Sequence, residues 1–293
     1  MSSPRLQPLI YALEPFGGST RSHLPSLPLV YVDDTAVTRG EGVFETLRLV
    51  DGHAENVERH IARFQRSAQQ LGIPEPRGEQ WAAATAEAAA EWELQHTGVE
   101  ATCRWTLTRG RESRPDIPTA WMVVQPLSPA VLFQREHGVK VLTGPRGYRL
   151  TDPTPWSVSG AKSLGYAANM SALRYANSQG FDDVIFLDGD RVLEATTATV
   201  ITFRGHKVRT PVSGADVLPG TTVASLFADL TERGFSCKEK PLLYDDLLKA
   251  DSVWLVSSLR GATRVTKLDE HTLAGSKAVC DFSGYLKRVE GGR

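Results

Sequence analysis

The segment Gly42-Val-Phe-Glu-Thr-Leu-Arg-Leu-Val50, closed by Asp51-Gly52, is followed at short range by Glu58-Arg-His-Ile-Ala-Arg-Phe-Gln-Arg-Ser-Ala-Gln-Gln-Leu71, and the hydrophobic period changes between them. Val43, Phe44, Thr46 and Leu47 running into Asp51-Gly52 have the pattern of a strand entering a hairpin. On such a strand Phe44 and Thr46 share one face and Glu45 takes the other. In the second stretch Ile61, Phe64, Ala68 and Leu71 fall at i, i+3, i+7 and i+10, one apolar stripe of a helix that Pro74 cannot continue. His60 and Arg63 lie beside that stripe, where an arginine ordinarily faces solvent. A strand, a tight turn and a helix in this order predict mixed α and β structure.

The same signals recur along the chain. Gln80–Gln95 reads as a helix, with an alanine-rich stretch at Ala82–Ala90, and Ala101–Thr108 and Thr119–Val124 read as strands joined through Arg109-Gly110. Gln125-Pro-Leu-Ser-Pro-Ala-Val-Leu-Phe-Gln-Arg-Glu-His-Gly138 keeps no period, holds two prolines and reads as a crossing linker. The expected organisation is therefore an N-terminal α/β domain over residues 1–125, a linker over 126–138 and a second domain over 139–293. Tyr148–Gly160, with Asp152-Pro-Thr-Pro155, reads as an irregular loop leading to Lys162. Beyond it, Ala167–Gln179 is a helix ended by Gly180, Val184–Leu187 a strand, and Gly189-Asp190 a turn into Arg191–Leu193. Glu194 then lies where the returning strand meets Thr196-Thr197-Ala198-Thr199. Leu218-Pro-Gly-Thr-Thr222 precedes a helix striped by Val223, Leu226, Phe227 and Leu230, and Val253–Val256 is a buried-type strand ending at Ser257-Ser258.

Composition narrows the function. The 293 residues are enough for two buried cores, and 33 Lys+Arg against 34 Asp+Glu give a net charge of −1, no field for nucleic acid or an anionic membrane. The start lacks the apolar stretch of a signal peptide, and no run approaches the ~20 apolar residues of a membrane span, so a cytoplasmic protein is expected. Cys103, Cys237 and Cys280 are odd in number and far apart, as reduced core thiols are. The chain has no G-x-G-x-x-G, P-loop, H-E-x-x-H or G-x-S-x-G, and its seven histidines include no pair at metal-ligand helical spacing, so no metal is expected. Taken singly, Gly220-Thr221-Thr222 is a helix cap that could also meet a phosphate, Glu194 a carboxylate at a strand end, and Lys162 a surface amine.

Taken in order, these pieces resemble the class IV aminotransferase family, the fold-type IV pyridoxal-phosphate enzymes. The resemblance runs through Arg39-Gly-Glu-Gly-Val-Phe-Glu-Thr-Leu-Arg48, Glu58-Arg-His-Ile-Ala-Arg63, Ala161-Lys-Ser-Leu-Gly-Tyr-Ala-Ala-Asn-Met170, Val192-Leu-Glu-Ala-Thr-Thr197 and Leu218-Pro-Gly-Thr-Thr222. It implies an α/β (mixed α+β) two-domain fold, an N-terminal α/β sandwich and a C-terminal α/β pseudo-barrel with the cofactor in the cleft. It implies Lys162 as the Schiff-base lysine, Glu194 facing the pyridine nitrogen, and Arg63, Thr221, Thr222 and Ser258 around the phosphate. It also implies a homodimer acting on a small molecule.

Within the family, Pro155-Trp-Ser-Val-Ser-Gly-Ala-Lys-Ser-Leu164, Thr108-Arg-Gly-Arg-Glu-Ser113 and Trp254-Leu-Val-Ser-Ser258 are most similar to the actinobacterial type of aminodeoxychorismate lyase, which forms 4-aminobenzoate and pyruvate on the way to folate. A transaminase of D-amino acids or branched-chain L-amino acids is the alternative. Arg109 is the first candidate to anchor a substrate carboxylate, with Arg111 and Arg114 beside it, and Phe44 and Thr46 are candidates to line the pocket. The chain departs from the family at Asp33-Asp34-Thr35, where many members have Asp-Arg-Gly, and at Arg39, where an aromatic is usual.

Overall fold

The computed structural model describes residues 6–14, 18–147, 154 and 156–273. Cys280 and most of the expected loop over 148–160 lie outside the described residues. The chain divides into two compact units, Met1–Ser128 with Ala161–Gly165, and Pro129–Gly160 with Tyr166–Arg293.

The first unit contains β1 (Leu9–Leu13), β2 (Thr20–His23), α1 (Thr35–Thr38), β3 (Gly42–Val50), β4 (His53–Ala54), α2 (Val57–Gln70), α3 (Gly78–Gln95), β5 (Ala101–Thr108) and β6 (Thr119–Pro126). Its six strands run in the order β2-β1-β6-β5-β3-β4, all antiparallel. Strand alternation turns Val43, Leu47 and Leu49 into a core shared with Phe64 and Ala68 of α2 and Trp81, Ala88 and Trp92 of α3. Phe64, Trp81 and Trp105 form a three-ring cluster with centroids 5.0 to 5.7 Å apart, each ring contributing about 1.5–3 kcal/mol by leaving water. The Trp105 indole N–H, buried with them, donates to Thr85 Oγ1 at 2.9 Å.

The second unit contains α4 (Pro129–His137), β7 (Val139–Pro145), α5 (Ala167–Ser178), β8 (Asp183–Asp188), β9 (Arg191–Ala195), β10 (Thr199–Arg204), β11 (Lys207–Thr210), α6 (Thr221–Glu232), β12 (Ser236–Glu239), α7 (Tyr244–Leu248), β13 (Ser252–Ser257), β14 (Gly261–Leu268) and β15 (His271–Thr272). Its nine-stranded sheet has the order β12-β11-β10-β13-β14-β7-β8-β9, with β15 on β14. Pairing is parallel at β11/β12, β14/β7 and β7/β8 and antiparallel elsewhere. Only Thr196, Thr197 and Ala198 separate β9 from β10, yet four strands lie between them in the hydrogen-bonded order. On a flat sheet they would stand roughly 24 Å apart, and that connection spans at most about 14 Å. The sheet therefore curls back on itself, in keeping with the pseudo-barrel that the family resemblance implies for the second domain. α6 covers one stretch of it through Val223, Leu226 and Leu230 against Ile201, Phe203 and Val208.

Two sequence readings change. The aperiodic stretch before Gly138 contains helix α4, on which no residue is buried, so it carries no apolar stripe to announce it. Residues 161–165 group with the first unit although the chain reaches them from the second, because their backbone pairs with β3.

Candidate active site

In the first unit the site is built on β3 and α2. Segment 161–165 lies along β3: the Phe44 N–H donates to Lys162 O at 3.0 Å, the Leu164 N–H donates to Gly42 O at 2.9 Å, and Val43 bridges Ser163. Gly42 permits this approach, since a Cβ there would stand 2.6 Å from Leu164 Cδ1 and 3.0 Å from Leu107 O. A third bond comes from the helix, where Ser67 Oγ accepts the Lys162 N–H at 3.0 Å. Lys162 Nζ sits 4.5 Å from the centroid of the Phe44 ring, and Arg104 Cζ sits 4.4 Å from the same centroid. Register explains the company. Phe44 pairs with Thr106 and Thr46 with Arg104, so all four share the sheet face opposite α2.

The other face holds a buried ionic cluster. Glu45 is fully buried and receives Arg63 Nε at 2.7 Å and Nη2 at 2.6 Å, while His60 Nδ1 lies 2.7 Å from its Oε2. Burial alone would raise the Glu45 carboxyl, but the charge and hydrogen bonds of Arg63 with the His60 contact outweigh it and hold it down to about 2. Burial also lowers His60, with the positive charges of Arg63 and Lys162 adding to that and Glu45 opposing it. His60 is therefore neutral near pH 7 and donates Nδ1–H to the carboxylate. Arg63 is thus no surface arginine: at 6% exposure its Nε–Nη2 edge is fixed by Glu45.

Two of the arginines after β5, Arg109 and Arg111, have structural partners. Arg109 donates from Nε to Glu41 at 2.6 Å, from Nη1 to Gly72 O at 3.1 Å and from Nη2 to Leu71 O, closing the carbonyl end of α2. Arg111 donates to Asp33 at 2.8 Å and lies over the Tyr31 ring, and with Ser113 it draws the Asp33 carboxyl down to about 2. Arg109 and Arg111 are thus held by these partners, whereas Arg104 is exposed and stands over the ring that carries the lysine amine. Sequence reasoning passed over Arg104 because it lies inside a strand rather than on the loop after it. The clue was a charge at Cys103-Arg104-Trp105 in an otherwise uncharged run.

In the second unit Glu194, next to the last residue of β9, has both oxygens occupied, Oε1 by Arg146 Nη2 and Oε2 by the Leu218 N–H, each at 2.9 Å. The bond to Leu218 ties Glu194 to the turn that starts α6. Gly220 caps α6 without any side-chain hydrogen bond, Thr221 is buried in the first turn, and Thr222 Oγ1 lies 3.4 Å from Ser258 Oγ. An uncapped helix N-terminus beside two neighbouring hydroxyls is a donor set that fits a phosphate dianion, and a fixed carboxylate fits a protonated ring nitrogen. Behind this, buried Asp183 accepts from Thr196 Oγ1 at 2.5 Å, from the Val184 N–H at 2.8 Å and from Arg260, and so holds the chain that follows Glu194. Among the described residues no group of three or more His, Cys, Asp or Glu side chains could hold a metal ion, and no helix is long and apolar enough to cross a membrane.

The sequence model of the family described as amino-transferase class IV matches residues 42–268. A Mycobacterium tuberculosis protein named bifunctional aminodeoxychorismate lyase / D-amino acid transaminase is 39% identical over 259 residues, 85% of this chain and 89% of that protein. Among solved structures, a hypothetical aminotransferase from Mycobacterium tuberculosis in its PLP-bound form superposes with a TM-score of 0.89 at 35% identity, covering 95% of this chain and 97% of the other. The fold IV-transaminase CpuTA1 from Curtobacterium pusillum gives 0.89 at 33% identity, covering 97% and 98%.

Proposed function

Since the chain belongs to the class IV aminotransferase family, we propose that this pyridoxal 5'-phosphate enzyme is a lyase that converts 4-amino-4-deoxychorismate to 4-aminobenzoate and pyruvate. What carries the reading is Lys162, pinned by its backbone to both β3 and α2 with its amine over the Phe44 ring, which Arg104 also covers. The 39% identity to a protein named for this lyase activity supports the choice of reaction.

In the first unit Lys162 supplies the amine that holds the cofactor aldehyde, and Arg63 meets the phosphate. In the second unit Glu194 takes the ring N–H, and Thr221, Thr222 and Ser258 supply hydroxyls and α6 its backbone N–H groups to the phosphate. Bound pyridoxal phosphate supplies an electron sink for bond breaking next to the substrate nitrogen. The Lys162 amine would remove the proton from the amine-bearing carbon of the substrate and return a proton to the departing enolpyruvyl group. The substrate carries two carboxylates, and Arg104 pairs with one of them. Phe44 sets the spacing between that anchor and the lysine.

Arg104→Gln is expected to raise KM about tenfold or more with kcat little changed, because a charge-assisted bond to a carboxylate contributes about 1.5–3 kcal/mol. Steady-state kinetics check it, and an unchanged KM would remove Arg104 from the site.

The competing reading is transamination, which the double name of the Mycobacterium tuberculosis relative keeps in view. Incubated with aminodeoxychorismate and no keto acid, the purified protein is expected to release 4-aminobenzoate and pyruvate in equal amounts. Failure to do so, with amino-group exchange between D-alanine and 2-oxoglutarate, would replace the lyase by the transaminase.

A further inference from the structure

We infer that Ser67 is a positioning residue for Lys162, a role that rests on Lys162 being the cofactor lysine. Ser67 sits on α2 one turn after Arg63, is 1% exposed, and its hydroxyl oxygen accepts the Lys162 N–H at 3.0 Å. The two bonds to β3 come from the carbonyl of Lys162 and from Leu164, so they fix the strand direction of segment 161–165. Neither bond is a hold on the amide plane before Lys162. Ser67 supplies that hold, and the plane it fixes sets the direction of the Lys162 Cα–Cβ bond and hence of the amine four bonds further out. Because residues 161–165 come to the first unit from the other part of the chain, the Ser67 bond is what ties the lysine to α2, the element that carries Arg63 and His60.

The test compares Ser67→Ala and Ser67→Thr with wild type as holoenzymes, by steady-state kinetics, visible circular dichroism of the bound cofactor and thermal unfolding. Ser67→Ala is expected to bind the cofactor on Lys162 but to lower kcat about tenfold, as small misplacements of a reacting group do. KM should stay within about twofold of wild type. The visible dichroic band should weaken, since it reports how the chromophore is held, and Ser67→Thr, which keeps the hydroxyl, should restore both band and kcat. Wild-type kcat and dichroism in Ser67→Ala would overturn the inference. So would a purely structural pattern, in which both variants lose thermal stability while the dichroic band of the folded protein is unmoved. A wild-type protein that takes up no pyridoxal phosphate would instead overturn the reading beneath it.

Discussion

Replacing Lys162 by alanine is expected to lower kcat/KM by about 10³-fold or more and to abolish the visible absorbance band of the protein, while leaving the fold intact. Two losses act at the same atom. The amine that holds the cofactor disappears, and with it the base that moves the proton at the amine-bearing carbon, a contribution that alone is about 10²–10⁴-fold. Folding is spared because Lys162 is only half-buried and its side chain offers the Phe44 ring an attraction of about 0.5–1 kcal/mol. The backbone bonds to Phe44 and Ser67 do not depend on the side chain. Kinetics with added pyridoxal phosphate, an absorbance spectrum and a melting curve check all three parts. A variant that kept a tenth of the activity would move the chemistry to another residue.

Glu45→Ala has the largest expected effect on stability, a loss of about 3–5 kcal/mol, because it leaves the Arg63 guanidinium buried without its carboxylate. Urea unfolding at pH 7 measures it, and a loss below about 1 kcal/mol would mean that the pair adds little beyond its own desolvation. The same cluster sets the acid response of the wild type. His60 is lowered from 6.5 in the fold, so below that value the unfolded chain takes a proton that the folded chain refuses, and stability falls. Glu45 is lowered from 4.5 to about 2, so its contribution is complete above 4.5 and is lost as the pH descends toward 2. Stability should therefore decline from about pH 6.5 and steepen below 4.5, with both groups acting in the same direction.

The elements that sequence reading identified were those with a clean local period. β3, α2 and α3 fall within two residues of their expected ends, because alternation, an apolar stripe and a following proline are all local signals. β14 was missed although Val265 and Leu268 are buried within a partly alternating run, and β1 was missed because a five-residue strand near the start carries few turn signals. Arg63, read as a surface residue from its helix alone, is buried because Glu45 lies 18 residues upstream on a strand that α2 covers. A glutamate on the strand face that also carries Val43 and Leu47 was the available hint that a buried cation would be needed. Arg104 and Ser67 depend on long-range register, on the pairing of β3 with β5 and on the return of residues 161–165 to β3. No spacing within one segment encodes either.

The most direct measurement is borohydride reduction of the purified yellow protein, followed by digestion and mass spectrometry of the lysine-containing peptides. The pyridoxyl group should be found on Lys162 alone, in a stoichiometry approaching one per chain. A pyridoxyl group on another lysine, or on none, would contradict the assignment of Lys162 and the site built around it.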